Sequence, residues 1–189
     1  TTQEYVLALN AAQDLVTHLL LREGATHVFP IETTLYEFQP PPPLQPPQLL
    51  PPQYLWHHSA DVRIKKEPTE VWFPAQIIVG GDAVHYHYDP YGALCLITGN
   101  EVTFYFQGNR SSGRLRHFVR PAPIELASSP TATPALEFPP YVYDIIVDIA
   151  ATFLSARIGQ MENSAQAWED YWASVVHQSV VKQAYPLHS

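Results

Sequence analysis

The sequence has very little cysteine and no long apolar run. Its single cysteine, Cys95, excludes an internal disulfide in this chain of 189 residues. Cys95 lies in the apolar run 93–97, which favours a buried small side chain over a nucleophile. No apolar run approaches the roughly 20 residues that a bilayer span needs, and no basic region followed by an apolar one opens the chain. We therefore expect neither a transmembrane helix nor a signal peptide.

Basic residues are also scarce. Lysine and arginine together number 10 against 18 aspartates and glutamates, and the formal net charge is −8. Conventional nucleic-acid-binding proteins carry a basic face, so this balance argues against that class. It does not argue against a channel through which DNA passes, because an acidic wall repels phosphates and does not retain them.

Apolar and aromatic residues are plentiful enough to build a core. They make up 46% and 12% of the chain respectively, and the length suits one core or a core with an appended lobe. Apolar residues spaced by three or four predict a first helix over 3–22, with Arg22 in its last turn and Gly24 after it. The predicted stripe of this helix comprises Val6, Leu9, Ala12, Val16 and Leu19.

A proline-rich segment over 40–52 is the most unusual part of the composition. Prolines lack an N–H and have a fixed φ, so this segment cannot be a helix interior or a central strand. It predicts an extended polyproline-II arm of about 13 residues. A solvated linker explains the segment equally well, although Leu44, Leu49 and Leu50 favour an arm that lies against something, such as a neighbouring subunit.

Short strand signals dominate the middle of the chain. Two of them, at 26–30 and 33–38, follow the first helix, and others lie between Tyr54 and Leu126, separated by turn residues. The candidates in that second region are 61–64, 71–79, 83–88, 93–97, 102–106 and 114–119. The runs 94–97 and 102–106, joined by a Gly-Asn turn, predict a hairpin.

Two helices are predicted after a spacer rich in Ser, Thr, Pro and Ala. Pro139 and Pro140 suit a first helical turn, and the stripes of the two helices are Val142, Ile146, Ile149 and Phe153, then Trp168, Trp172 and Val175. The resulting fold class is α+β, a helical bundle with a β-rich insertion and an extended proline-rich arm. The predicted organisation assigns 1–24 and 137–185 to the bundle, 25–126 to the β-rich lobe with the arm at 40–53, 127–136 to a linker and 186–189 to a tail.

Residue types that could support catalysis or metal binding occur without a complete motif. His85 and His87 lie on one face of a predicted strand and His117 lies on a later strand, which suggests a metal site. No third ligand stands at a fixed spacing from the first two, so surface or interface histidines are favoured. Asp144 and Asp148 stand one helical turn apart, which favours a solvated or intersubunit face over an acid–base pair. We expect no cofactor and no enzymatic activity.

Four arginines are concentrated around one predicted strand pair. They are Arg110, Arg114, Arg116 and Arg120. In an acidic protein, such a patch more often contacts an acidic partner surface than nucleic acid.

Three motifs resemble those of bacteriophage head–tail adaptor proteins, also called connector or head-completion proteins. They are Leu9-Asn10-Ala11-Ala12-Gln13, the strand end Phe118-Val119-Arg120-Pro121-Ala122-Pro123-Ile124-Glu125-Leu126, and Pro139-Pro140-Tyr141 with the following helix Ile145-Ile146-Val147-Asp148-Ile149-Ala150-Ala151. The resemblance implies a ring, commonly of about twelve copies, beneath the portal. It also implies a β lobe that faces the tail and a central channel for DNA.

The expected function is therefore structural. The expected partners are copies of itself, the portal protein and a tail tube or nozzle protein, with genomic DNA passing without specific binding and no membrane involved. The expected location is the neck of the virion, after assembly in the host cytoplasm. The predicted interface residues are Leu44, Leu49, Leu50, Tyr105, Phe106, Arg110, Tyr185, Leu187 and His188.

Two other functions fit the sequence. One is a virion-associated cell-wall hydrolase, in which Asp144, Asp148 or Glu162 would supply the carboxylates. The other is an interaction module whose segment 40–52 binds an aromatic groove.

Overall fold

A computed structural model describes residues 2–38, 46–66, 69–80, 92–106, 110–125, 138–158 and 165–181. The chain divides into two compact units. One combines Thr1–Phe29 with Pro121–Ser189, and we call it the helical unit. The other is Pro30–Arg120, which we call the sheet unit.

The sheet unit contains a single seven-stranded mixed sheet. Its strands are β1 (Ile31–Glu37), β2 (Gln48–Leu49), β3 (Tyr54–Lys66), β4 (Thr69–Val79), β5 (Ala93–Thr98), β6 (Glu101–Phe106) and β7 (Arg110–Val119). Their order across the sheet is β1-β7-β3-β4-β5-β6-β2. The pairing of β4 with β5 is parallel, and the other five pairings are antiparallel.

One face of this sheet encloses a core, because the sheet curves nearly onto itself. Aromatic side chains at the end of the edge strand β1 contact those of β6 within the core, although β7, β3, β4 and β5 stand between the two strands in the sheet order. The Tyr36 and Phe104 rings are 5.7 Å apart, and Phe38 stacks on Phe106 at 4.7 Å. The buried members of this core are Tyr36, Ala60, Val62, Ala75, Ala93, Cys95, Ile97, Val102, Phe104, Phe106 and Leu115.

Gly113 permits this closure. A Cβ atom at this position would lie 2.8 Å from Cζ of Phe38 and 2.9 Å from two ring carbons of Phe104. These distances are shorter than non-bonded carbon contacts allow, so a side chain on β7 at this point would push the facing rings apart.

The predicted fold class, a helical bundle with a β-rich insertion, is wrong. The protein is mainly a seven-stranded, nearly closed mixed sheet accompanied by three short helices. The central strand β3 is 13 residues long, whereas the sequence indicated only 61–64. Its pairing with β7 slips between Tyr54 and Trp56 and again between His57 and Ser59. Such bulges break the alternation of apolar and polar residues by which a strand is recognised. The strand expected at 26–30 is instead a short 3-10 helix, Thr26–Val28.

The described half of the proline-rich segment is not a free arm, which corrects a second part of the predicted fold. Gln48 and Leu49 form the edge strand β2, paired with Val102 and Glu101 of β6. The Leu50 amide donates to the carbonyl oxygen of Asn100 at 2.8 Å. Prolines are tolerated beside an edge strand because the N–H groups they lack are not needed by a central ladder. Residues 39–45, including Leu44, lie outside the described part.

The helical unit contains α1 (Thr2–Arg22), α2 (Pro140–Ile158) and α3 (Ala165–Val176), and α3 continues into a π-helical turn, His177–Val181. The predicted helix over 3–22 is confirmed, and so is the predicted stripe of α2 except for Phe153, which is only half-buried. Val142, Ile146 and Ile149 are each 0% exposed. Among the described residues, no helix has both the length and the apolar character to cross a membrane.

Candidate functional site

The predicted interface residues of the sheet unit have different environments. Leu49 on the edge strand β2 is 68% exposed and is free to contact a partner. Leu50 packs against the sheet core, and Tyr105 packs against a small cluster on the other face. Phe106 is 1% exposed and is part of the sheet core.

The other five predicted interface residues lie wholly or partly outside the described part of the chain. Leu44, Tyr185, Leu187 and His188 lie outside the described residues, and only the backbone of Arg110 is described. An interface role for these nine residues stays a prediction.

The carboxylates considered for a hydrolase do not lie in a cleft within the described helix. Asp144 and Asp148 are exposed on the outer side of α2. An acid–base pair works within a substrate-binding cleft, whereas both of these side chains are open to solvent. Glu162 lies outside the described residues.

Cys95 is buried within the sheet core, as predicted. Burial raises the pKa of its thiol to about 12, so the thiolate is not populated near neutral pH. Burial, and to a smaller extent the neighbouring Cys95, also raises the pKa of Tyr54 to about 12. Both groups are therefore neutral packing elements of the core.

His117 is a buried structural histidine. Its Nδ1 donates to the carbonyl oxygen of Phe118 at 3.3 Å, and its Nε2 shares a hydrogen bond with the Thr34 hydroxyl, 3.1 Å away. Both ring nitrogens are thereby engaged. No group of three His, Cys, Asp or Glu within the described ranges could hold a metal ion. His85 and His87 fall outside those ranges.

The outward face of four adjacent strands combines arginines with exposed apolar groups. Val62 and Leu115 point into the core, so their neighbours Asp61, Arg114 and Arg116 point outward. The register aligns Leu35, Arg114 and Asp61 across β1, β7 and β3. We call this surface the arginine face, and its members are Ile31, Leu35, Trp56, Asp61, Arg63, Trp72, Arg114 and Arg116.

Arg114 is held firmly at the centre of the arginine face. Its Nε donates to Oδ2 of Asp61 at 2.7 Å, and its guanidinium carbon lies 4.3 Å from the centroid of the Trp72 ring. The guanidinium carbon of Arg63 lies 5.7 Å from the same ring. A cation beside a tryptophan face contributes roughly 0.5–1 kcal/mol at an exposed site. The arrangement orders Trp72 and Arg114 before any partner binds.

The apolar part of the arginine face is exposed. Leu35 is 60% exposed, Ile31 49% and Trp56 45%. Tryptophan and arginine are the residue types most often found at the energetic centres of protein interfaces. This face therefore has the composition of a protein-binding surface.

Sequence reasoning identified only part of the arginine face. It singled out the arginines near β7 but missed Asp61 and Trp72, which come from other strands. The 13 residues of β3 and the 11 of β4 bring them beside Arg114 only through the pairing register. The signal for this face in the sequence was Arg114 and Arg116, which lie two residues apart on one predicted strand and so share one side of it.

Two of the three motifs on which the adaptor resemblance rests contact each other within the helical unit. The Asn10 side chain accepts the Ile124 amide at 2.8 Å and donates to the Ile124 carbonyl at 2.9 Å. Gln13 donates to the carbonyl of Ala122 at 2.9 Å. Together they give the extended segment after Pro121 the backbone hydrogen bonds that a strand would otherwise supply.

No protein-family model matches this chain, and no curated protein matches it significantly. The adaptor resemblance therefore depends on the residues themselves.

Proposed function

We propose that this protein is a non-enzymatic structural subunit of a bacteriophage virion. Its copies form a ring that joins the portal vertex to the tail and continues the DNA channel. The observation that carries the proposal is the arginine face, an ordered and partly apolar surface of the kind through which a protein that works by contact must act. The adaptor resemblance supplies the virion setting.

The contact between Asn10 and Ile124 supports the proposal further. The resemblance joins an N-terminal motif to a segment more than 100 residues later, and three hydrogen bonds tie these two motifs together. The polar side chains of the first motif thus hold the backbone of the second. The two motifs therefore form one folded feature of this chain.

A closed ring requires two different complementary patches on every subunit. The arginine face offers one of them. Exposed apolar residues on the helices, such as Leu7, Val147 and Tyr171, are available to form the second patch. The net charge of −8 suits a conduit, because an acidic ring interior does not retain the phosphates that pass it.

The partners in this proposal are further copies of the chain, the portal protein and a tail tube or nozzle protein. The location is the neck of the virion, and the genome passes without specific binding. About twelve copies would match the ring size that the adaptor resemblance implies.

The test is the assembly state of the purified chain, alone and with the portal protein of the same virus. Native mass spectrometry and electron microscopy should find a closed ring, either on its own or seated on the portal. A chain that remains monomeric at high concentration even with portal present would overturn the proposal. A turnover that disappears in Asp144→Asn would overturn its non-enzymatic part.

A further inference from the structure

A stripe along the exposed side of α2 has a composition complementary to the arginine face. Tyr141, Asp144, Val147 and Asp148 all lie on this side of the helix. Residues three and four apart are neighbours on a helix surface, so two carboxylates stand next to two apolar side chains. We call these four residues the acidic stripe.

Both surfaces have charge that is not neutralised. Within the part of the chain that the structure describes, Arg116 has no ion-pair partner, and neither do Asp144 and Asp148. Arg116 lies on the arginine face opposite Thr33 and Ser59, which carry no charge. Two like charges one turn apart destabilise an isolated helix by a few tenths of a kcal/mol unless a cation faces them.

The other charges of the arginine face leave its positive excess near Arg116. Asp61 is bound to Arg114, and Glu37 is four residues along β1 from Thr33, about 13 Å from the register position of Arg116. Exposed Leu35 and Ile31 lie on either side of Thr33. The part of the face around Arg116 is therefore cationic, with an apolar border.

The spacing of the charges also matches. Arg114 and Arg116 are two residues apart on one strand, which separates them by about 6.7 Å. Asp144 and Asp148 are four residues apart on a helix, which separates them by about 6 Å along its axis. A helix laid along β7 could thus place one carboxylate against Arg116 and the other near Arg114, which keeps its ion pair with Asp61, with Val147 and Tyr141 against the apolar border.

We propose that the arginine face of one copy binds the acidic stripe of a second copy, and that this is the contact that closes the ring. The contact is heterologous, since each copy uses two different surfaces, and so it repeats around a ring. A second copy is the occupant that the charges favour, because the face and a stripe complementary to it belong to the same chain. This inference rests on the proposed function and specifies its subunit contact.

The experiment is a charge exchange measured by sedimentation velocity and native mass spectrometry over a range of concentrations. Arg116→Glu and Asp148→Lys should each weaken self-association about tenfold or more, because each places like charges in contact. The double variant, Arg116→Glu with Asp148→Lys, restores opposite charges and should recover most of the wild-type affinity. Both residues lie on the surface, so unchanged thermal unfolding verifies that each variant is folded.

Two control variants carry the same changes of charge outside the proposed contact. Arg120→Glu alters an exposed arginine immediately after β7, and Asp14→Lys alters an exposed aspartate of α1. Both should assemble like the wild type, which separates a local contact from an effect of net charge.

The outcomes distinguish this inference from the proposed function. If the wild type forms rings and neither single reversal weakens them, the inference is wrong and the proposed function stands. The inference is also wrong, and the proposed function again stands, if both single reversals weaken assembly and the double variant fails to recover. A wild-type chain that never assembles, even with portal present, overturns both.

Discussion

The helical unit and the sheet unit are built by different kinds of interaction. In the helical unit, the buried residues recur every three or four positions, so each helix specifies its own inner side. In the sheet unit, the core depends on β1 meeting β6, which are far apart in the sequence and near opposite ends of the sheet. The helices can therefore be predicted from local periodicity, whereas the closure of the sheet depends on a few long-range contacts.

The largest effect should come from removing a core side chain of the helical unit. Ile146→Ala deletes a side chain that is 0% exposed and should lower the free energy of unfolding by about 3 kcal/mol, because it leaves a cavity. Chemical denaturation measures the loss, and hydrogen exchange should locate it in the helical peptides. The control is Val147→Ala, which alters a neighbouring side chain that is 55% exposed and should change stability by less than about 0.5 kcal/mol. Equal losses in the two variants would contradict the helical packing described here.

The closure of the sheet depends on Gly113 and can be tested separately. Gly113→Ala places a methyl group within 3 Å of Phe38 and Phe104 and should cost about 2 kcal/mol, with faster hydrogen exchange in the sheet peptides. Phe104→Leu makes room for that methyl group. The double variant should therefore lose less stability than the sum of the two single losses. Strict additivity would show that β7 does not face the ring of Phe104.

The tie between the two adaptor-like motifs should have a smaller effect. Asn10→Ala removes the side chain that both accepts from and donates to Ile124, and it should cost roughly 1–2 kcal/mol. Hydrogen exchange should rise at the Ile124 amide. Gln3→Ala changes an exposed amide of the same helix and serves as the control. An unchanged Ile124 amide in Asn10→Ala would show that the segment is held by other means.

The smallest expected effect is a pH dependence of the sheet unit. Burial lowers the pKa of His57 below its usual value of 6.5, and its Nδ1 is buried without a hydrogen-bond partner in the described part. The unfolded chain therefore takes up this proton first. Neutral His57 therefore makes its full contribution to stability above about pH 6.5, and this contribution is lost as the pH falls toward the pKa of His57 in the folded state.

The measurement for His57 is urea denaturation between about pH 7.5 and 5. The wild type should lose more stability over this range than His57→Gln does. His58→Gln alters the adjacent, exposed histidine and should keep the wild-type dependence. A His57→Gln profile parallel to that of the wild type would refute the assignment.

Several features of this protein could be predicted from the residues. The helix over 3–22, the stripe of Val142, Ile146 and Ile149, the burial of Cys95 and the hairpin of β5 and β6 are all confirmed. Each depends on the pattern within one short segment. The arginines of β7 were recognised for the same reason, because they lie close together in the sequence.

Other features could not be predicted. The full length of β3 was hidden because its bulges interrupt the alternation, and the pairing of Gln48 and Leu49 with β6 was hidden because the surrounding prolines indicate an extended arm. The partners of Arg114 were hidden because Asp61 and Trp72 approach it from two other strands.

The sequence by itself therefore determined the helical stripes, the hairpin and the buried thiol, because the periodicity of a helix or a strand is a local property of the chain. Only the tertiary structure decided that the sheet closes on itself over Gly113 and that Arg114 contacts both Asp61 and Trp72. These contacts depend on strand order and register, which arise from the sum of many weak pairings between distant segments.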